Sequence, residues 1–300
     1  MQVRRFSPRR NRAGLAGLAA LVAACGALAA ATLSGAAPSP APGPAHPGQF
    51  VWFDLLTHRP GAVEPFYAAL FGWTFEAQAG RDNPYKVIRA GGQPIGGIVD
   101  VSARKADVPE PVWLSYVSVP DVDKAAADVR QRNGKVLKEP LDLGRAARAA
   151  VVTDPAGALL GLARIAKGDP PEAVATAPGR FLWVEYVAED AESALGFYRE
   201  TFGYAAERLE GTAVPYWVLR TAGVSRAGLF QRPWSGVRSN WLPYVLVADA
   251  AAAAQKARSL GGKVLLEPRA DVRSGTLALV TDPSGAALAL QQWPIPGAAK

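Results

Sequence analysis

Two carboxylates stand two residues after a tryptophan: Asp54 follows Trp52, and Glu185 follows Trp183. Side chains in an extended segment alternate between faces, so each acid shares a face with its tryptophan. A carboxylate among aromatic rings can pair with a cationic or hydroxylated ligand, or desolvation can raise its pKa until it serves as a general base. It can also lie near a wet rim, or bond a neighbouring tyrosine or arginine. Tyr85, Tyr116, Tyr216 and Tyr244, with Trp113, Trp217 and Trp241, add aromatic surface suited to flat or apolar ligands. Half of these rings are expected to be core, since aromatic residues at strand spacing more often pack than bind.

Other chemistries find few residues. The two histidines, His46 and His58, fall in a proline-rich tether and at a turn into a helix. Both are expected to be solvated or structural, and no Ser/His/Asp triad can be built from them. The single cysteine, Cys25, allows neither an intrachain disulfide nor a thiolate metal cluster. The glycine-rich spots lack the strand, phosphate loop and helix order of a nucleotide site. Gly96, Gly97 and Gly228, in matching strands, would admit a ligand or a facing strand at close range, or mark bends. The net charge of +7 owes five positives to Arg4, Arg5, Arg9, Arg10 and Arg12; the rest of the chain sets 28 basic against 26 acidic residues. A near-neutral body without a basic stripe excludes DNA and RNA as expected partners.

The elements that position these residues repeat. Residues 134–140 (GKVLKEP) recur as 262–268 (GKVLLEP), and Thr153-Asp154-Pro155-Ala156-Gly157 recurs as Thr281-Asp282-Pro283-Ser284-Gly285. Phe66-Tyr67 and Phe71-Gly72 recur as Phe197-Tyr198 and Phe202-Gly203. The chain is therefore a tandem duplication, with halves at 49–166 and 179–293 joined by a proline-rich and alanine-rich linker. Each half divides again. Residues 50–57 alternate as a strand, with Val51, Phe53 and Leu55 on one face and Trp52, Asp54 and Leu56 on the other. Val63, Phe66, Tyr67, Leu70 and Phe71 make the apolar stripe of a helix that Gly72 stops, with Pro65 tolerable only in the first turn. Three extended stretches follow, giving the order βαβββ, and the order returns from Leu114 to Ile165. The second half copies both, with Asp190 and Asp249 as N-caps and Gly203 and Gly261 as stops.

Four βαβββ modules, the Phe-Tyr pair followed by a Phe-Gly helix stop, and a late Asp-Pro-x-Gly turn in both halves resemble the vicinal oxygen chelate superfamily. That superfamily holds glyoxalase I, bleomycin-resistance proteins and extradiol dioxygenases. The tryptophan two residues before an acid in the first strand is similar to tandem members of the 27-kDa antigen type. The resemblance implies an α+β fold of two tandem domains, each curling its mixed sheet into a cup for a small ligand. It makes the face of Trp52 and Asp54, and that of Trp183 and Glu185, the concave one; Tyr85 and Tyr116, and Tyr216 and Tyr244, are the expected ligand-binding rings beside them. It also implies a divalent metal in the enzymes, held by His and Glu or Gln. The matching positions here are Trp52 and Trp183, Leu114 and Leu242, and Gly161 and Ala289, none of which coordinates. Asp100 and Gln231 are the nearest oxygen donors. The expectation is a cofactor-free and metal-free binder of a small organic molecule, with no catalytic residue assigned; a lyase, isomerase or dioxygenase-like enzyme is the alternative, and a scaffold with filled cups the third.

The first 48 residues read as a leader and tether. Ala13 to Ala24 is uncharged and apolar and follows the arginines, as in a secretory signal. Val22-Ala23-Ala24-Cys25 resembles a bacterial lipobox, which implies lipid on Cys25. An uncleaved anchor across Ala13 to Ala37, or ordinary cleavage after Ala31 or Ala37, are the alternatives. The expected location is outside the cytoplasmic membrane, attached through the N-terminus or free.

Overall fold

The computed structural model describes residues 43–78, 85–104, 110–172, 177–233 and 235–293. The first half runs β1 (Phe50–Thr57), α1 (Pro60–Phe71), β2 (Thr74–Ala77), β3 (Tyr85–Ala90) and β4 (Gln93–Asp100), then β5 (Val112–Ser118), α2 (Val122–Gln131), β6 (Lys135–Leu143), β7 (Ala147–Thr153) and β8 (Leu159–Ile165). The second half runs β9 (Phe181–Ala188), α3 (Ala191–Phe202), β10 (Ala205–Leu209), β11 (Tyr216–Thr221) and β12 (Val224–Gln231), then β13 (Asn240–Val247), α4 (Ala250–Ser259), β14 (Lys263–Leu266), β15 (Leu277–Thr281) and β16 (Ala287–Gln292). Each half forms one eight-stranded mixed sheet, ordered β2-β3-β4-β1-β5-β8-β7-β6 and β10-β11-β12-β9-β13-β16-β15-β14. The fold is α+β, two tandem domains of two βαβββ modules each.

Local chemistry sets the helix ends. Asp121, Asp190 and Asp249 are extended N-caps whose carboxylates accept the backbone N–H of Lys124, Ser193 and Ala252, satisfying a donor that has no intrahelical partner. α1 lacks such a cap and opens on Pro60, whose missing N–H would be unpaired there in any case. Pro65 lies in the second turn rather than the first, so this helix forgoes an internal hydrogen bond. Gly72 and Gly203 each sit at φ 71°, closing α1 and α3 in the left-handed conformation.

The helix-covered faces of the two sheets merge into one core. Phe53, Leu55, Phe66, Tyr67 and Trp113 of the first half share it with Val184, Tyr186, Tyr198 and Trp241 of the second. The rings of Phe53 and Phe181 stack across the halves at 3.8 Å. The repeated motifs exchange partners here. The Tyr67 hydroxyl donates to Asp282 at 2.9 Å, and Tyr198 donates to Asp154 at 3.0 Å. Trp113 and Trp241 donate in turn to Tyr67 and Tyr198. The Phe-Tyr pair of each half thus holds the Asp-Pro-x-Gly turn of the other.

Each sheet's opposite face carries a cluster of its own, one for each cup. A register shift between Phe50 and Trp52 breaks the alternation at the start of β1. Val51 consequently joins the cup cluster instead of the face of Phe53 and Leu55. The end of the tether is docked: Gly43 N–H donates to the Ala166 carbonyl, and His46 N–H donates to Asp169 at 2.6 Å. His46 is half-buried, with Nδ1 3.9 Å from Glu172, rather than solvated. Among the described residues no helix is long and apolar enough to cross a membrane; Cys25 and the run from Ala13 to Ala37 lie outside them.

Candidate functional site

In the first cup, β1 presents Trp52 and Asp54 beside β4 on one edge and β5 on the other, with Asp54 paired to Gly97 and Leu114, and Trp52 paired to Tyr116. Asp54 is 2% exposed. One of its oxygens accepts both the Trp52 indole N–H and the Tyr85 hydroxyl at 2.9 Å, and the indole also lies 3.0 Å from the Tyr85 oxygen. Burial of a carboxylate is costly unless it is hydrogen-bonded, and this triangle meets that demand. Glycine makes the approach possible: a Cβ at Gly97 would stand 2.1 Å from the Tyr85 hydroxyl, and one at Gly161 would stand 2.2 Å from the Tyr116 ring. At Gly97 and Gly228 the close approach is made by the protein's own tyrosines, rather than by a ligand or a facing strand.

In the second cup, Glu185 takes the place of Asp54 and is equally buried. Tyr216 donates to one carboxylate oxygen at 2.7 Å, and Tyr244 donates to the other at 2.5 Å. The Arg273 guanidinium donates to the same oxygen as Tyr216, and its other terminal nitrogen donates to Gln291 at 3.2 Å. It lies 5.3 Å from the centre of the Tyr244 ring, in range for a cation–π contact. Burial and the Glu185 charge both push the Tyr216 and Tyr244 hydroxyls above their ordinary range, so they remain protonated donors. Burial works against the Arg273 charge, but Glu185 and the two tyrosines outweigh it and hold its pKa above the usual arginine value. The chain motifs gave no sign of this arginine, because it is carried in by an irregular loop after β14.

The eight residues expected in the cups, Trp52, Asp54, Tyr85, Tyr116, Trp183, Glu185, Tyr216 and Tyr244, stand together on the faces that the helices leave uncovered. Three other aromatic candidates do not. Trp113, Trp217 and Trp241 belong to the helix-side core, because each lies an odd number of positions from Tyr116, Tyr216 or Tyr244 on the same strand and so points to the opposite face. His58 is half-buried where β1 meets α1, its Nδ1 3.3 Å from the Val101 carbonyl and its Nε2 buried without a partner.

The donor set does not suit a divalent metal of the kind the superfamily's enzymes use. Gly161 is covered by the Tyr116 ring, Leu114 is apolar, and the Trp52 nitrogen is committed as a donor. Asp100 accepts the N–H of Ser102 in a turn, and Gln231 clasps the start of α3 through Ala191 N–H and the Glu189 carbonyl. Among the described residues no three His, Cys, Asp or Glu side chains converge as a metal site would need.

Two eight-stranded cups of this topology, in tandem, define the vicinal oxygen chelate class. Residues 27–162 and 180–290 match the Glyoxalase/Bleomycin resistance protein/Dioxygenase superfamily, and the chain belongs to it. The protein CFP32 of Mycobacterium tuberculosis (strain CDC 1551 / Oshkosh), which bears a glyoxylase name, is 32% identical over 244 residues, covering 78% of this chain and 91% of its own. The anthracycline biosynthesis protein DauV of Streptomyces sp. (strain C5) is 31% identical over 255 residues, covering 80% and 91%. The fold is similar to that of the Mn(II)-bound glyoxalase from Novosphingobium aromaticivorans, with a TM-score of 0.56 and 17% identity over 82% of each chain. It is similar too to 2,2',3-trihydroxybiphenyl 1,2-dioxygenase from Sphingomonas wittichii strain RW1, with a TM-score of 0.54 and 14% identity over 82% of this chain and 91% of that one.

Proposed function

We propose that this glyoxalase-like protein binds a small, flat organic molecule in the cup of its first domain without a metal, and does so outside the cytoplasmic membrane. The observation that carries the reading is the triangle of Trp52, Asp54 and Tyr85 beside Tyr116: a half-buried indole over two buried phenol rings and one buried carboxylate. Such a lining suits an aromatic body with a polar or cationic substituent. The kinship with an anthracycline biosynthesis protein supports a polycyclic ligand. The arginine-rich start, apolar run and Val22-Ala23-Ala24-Cys25 support export and lipid attachment.

Mass spectrometry of protein purified natively from its own host tests the binding reading. A retained organic molecule without stoichiometric metal, lost in Trp52→Ala, is the expected result. One equivalent of Ni, Zn, Fe or Mn per half, removed by chelator together with an activity, overturns it in favour of a metal-dependent lyase or isomerase, the reading that the glyoxylase name of CFP32 supports. Labelling with a fatty-acid analogue tests attachment: native protein is marked and Cys25→Ala is not. Equal labelling of both, or of neither, removes the lipoprotein reading.

A further inference from the structure

The second cup differs from the first at its rim. In the first domain β6 continues to Leu143 and the chain turns directly into β7, leaving Arg145 exposed. In the second domain β14 ends at Leu266, and the ten residues before β15 leave the sheet edge. They carry Arg273, the counterpart of Arg145 in the repeat, inward to Glu185. The backbone is forced to do this. Arg273 and Ser274 adopt φ of 46° and 55°, the left-handed region that residues with a Cβ avoid. The strained turn is tied down by Gln291, whose amide donates to the Thr276 carbonyl and hydroxyl at 3.0 and 2.9 Å. The Arg273 side chain is still 27% exposed, whereas Glu185 is 2% exposed.

A buried carboxylate, a phenol on each of its oxygens, a tyrosine face and an amide oxygen make a complete receptor for one planar cation with several N–H donors. We propose that the second cup is a guanidinium-binding site which the chain fills with its own Arg273, and that the loop from Glu267 to Thr276 is a displaceable plug. External molecules bearing a guanidinium or amidinium group bind there when the plug lifts. The fraction of molecules with the plug lifted sets their apparent affinity, since binding to a partly populated competent state is weakened by that fraction. The site is separate from the first cup and holds or fails independently of any ligand there.

Titration of the full-length chain with methylguanidinium, followed by calorimetry against matched sodium chloride, tests the site. Arg273→Ala is expected to bind one equivalent at least roughly tenfold more tightly than the unaltered protein, because the competing side chain is gone. Arg273→Ala combined with Glu185→Gln is expected to show no saturable binding. A folded Arg273→Ala variant that does not gain affinity, or a double variant that binds equally well, overturns the proposal. Limited trypsinolysis supplies a second readout should Arg273→Ala not fold. Glu185→Gln releases the plug, so cleavage after Arg273, read by mass spectrometry, is expected to quicken on the order of tenfold relative to the unaltered chain. An unchanged rate at that bond overturns the displaceable plug.

Discussion

At the scale of single residues, the two cup carboxylates are structural as well as available for recognition. An acid without buried partners contributes little stability, and on the alternation of side chains alone Asp54→Ala and Glu185→Ala are expected to leave folding largely intact. The structure removes the premise for both acids: Asp54 accepts from Trp52 and Tyr85, and Glu185 satisfies two tyrosine hydroxyls and one guanidinium. Removing one partner of a buried ion pair leaves the other charge uncompensated, at a cost of about 3–5 kcal/mol. Glu185→Ala is therefore expected to lose stability of that size in chemical denaturation. Tyr244→Phe, which removes one donor to the carboxylate, is expected to lose about 1.5–3 kcal/mol. An unchanged midpoint in both would show that the Glu185 network contributes nothing to stability.

Elements bring these residues into contact through glycines at fixed register. Gly97 pairs with Asp54 in β1 and β4, and Gly228 pairs with Glu185 in β9 and β12. A Cβ at Gly228 would stand 2.2 Å from the Tyr216 hydroxyl, matching the clash of Gly97 with Tyr85. Gly97→Ala and Gly228→Ala are thus expected to push each tyrosine off its carboxylate and to cost roughly 1–3 kcal/mol by overpacking. A thermal melt measures the loss, and tyrosine fluorescence reports the displaced ring. The matching strands were legible as a repeat, while the glycines could equally have marked bends. What approached them was not legible, because strand spacing does not say which neighbouring ring will lean across.

Over the whole molecule, the halves depend on one another through the shared core and the reciprocal bonds of Tyr67 with Asp282 and Tyr198 with Asp154. A chain of residues 49–166 alone would expose that core face, so it is expected to aggregate or bind a hydrophobic dye, and the full chain is expected to do neither. A monomeric, cooperatively unfolding fragment would refute this. Burial raises the hydroxyl pKa of Tyr67, Tyr186, Tyr198, Tyr204, Tyr216 and Tyr244 above the ordinary value of 10.0. With folded values raised, the unfolded chain binds fewer protons than the native one above that pH, so stability is intact below it and falls as pH rises through it. Alkaline titration is expected to show unfolding and tyrosinate absorbance appearing together; tyrosinate forming in a still-folded protein would contradict the burial.

The sequence by itself determined the duplication, the βαβββ order, the helix caps and the sharing of a face by each acid and its tryptophan. Those features follow from local backbone geometry and from side-chain alternation, both of which are written in spacing. Alternation also separates the rings: Trp113 and Trp241 stand three positions from Tyr116 and Tyr244, and Trp217 follows Tyr216, so the tryptophans face the core where the tyrosines face the cups. Only the tertiary structure decided that the repeated motifs would clasp across the halves and that Arg273 would enter the second cup while Arg145 stayed outside. Those outcomes depend on how the halves pack, where a strand gives out, and which buried charge a long side chain can reach. These are relations between residues far apart in the chain, and no local pattern encodes them.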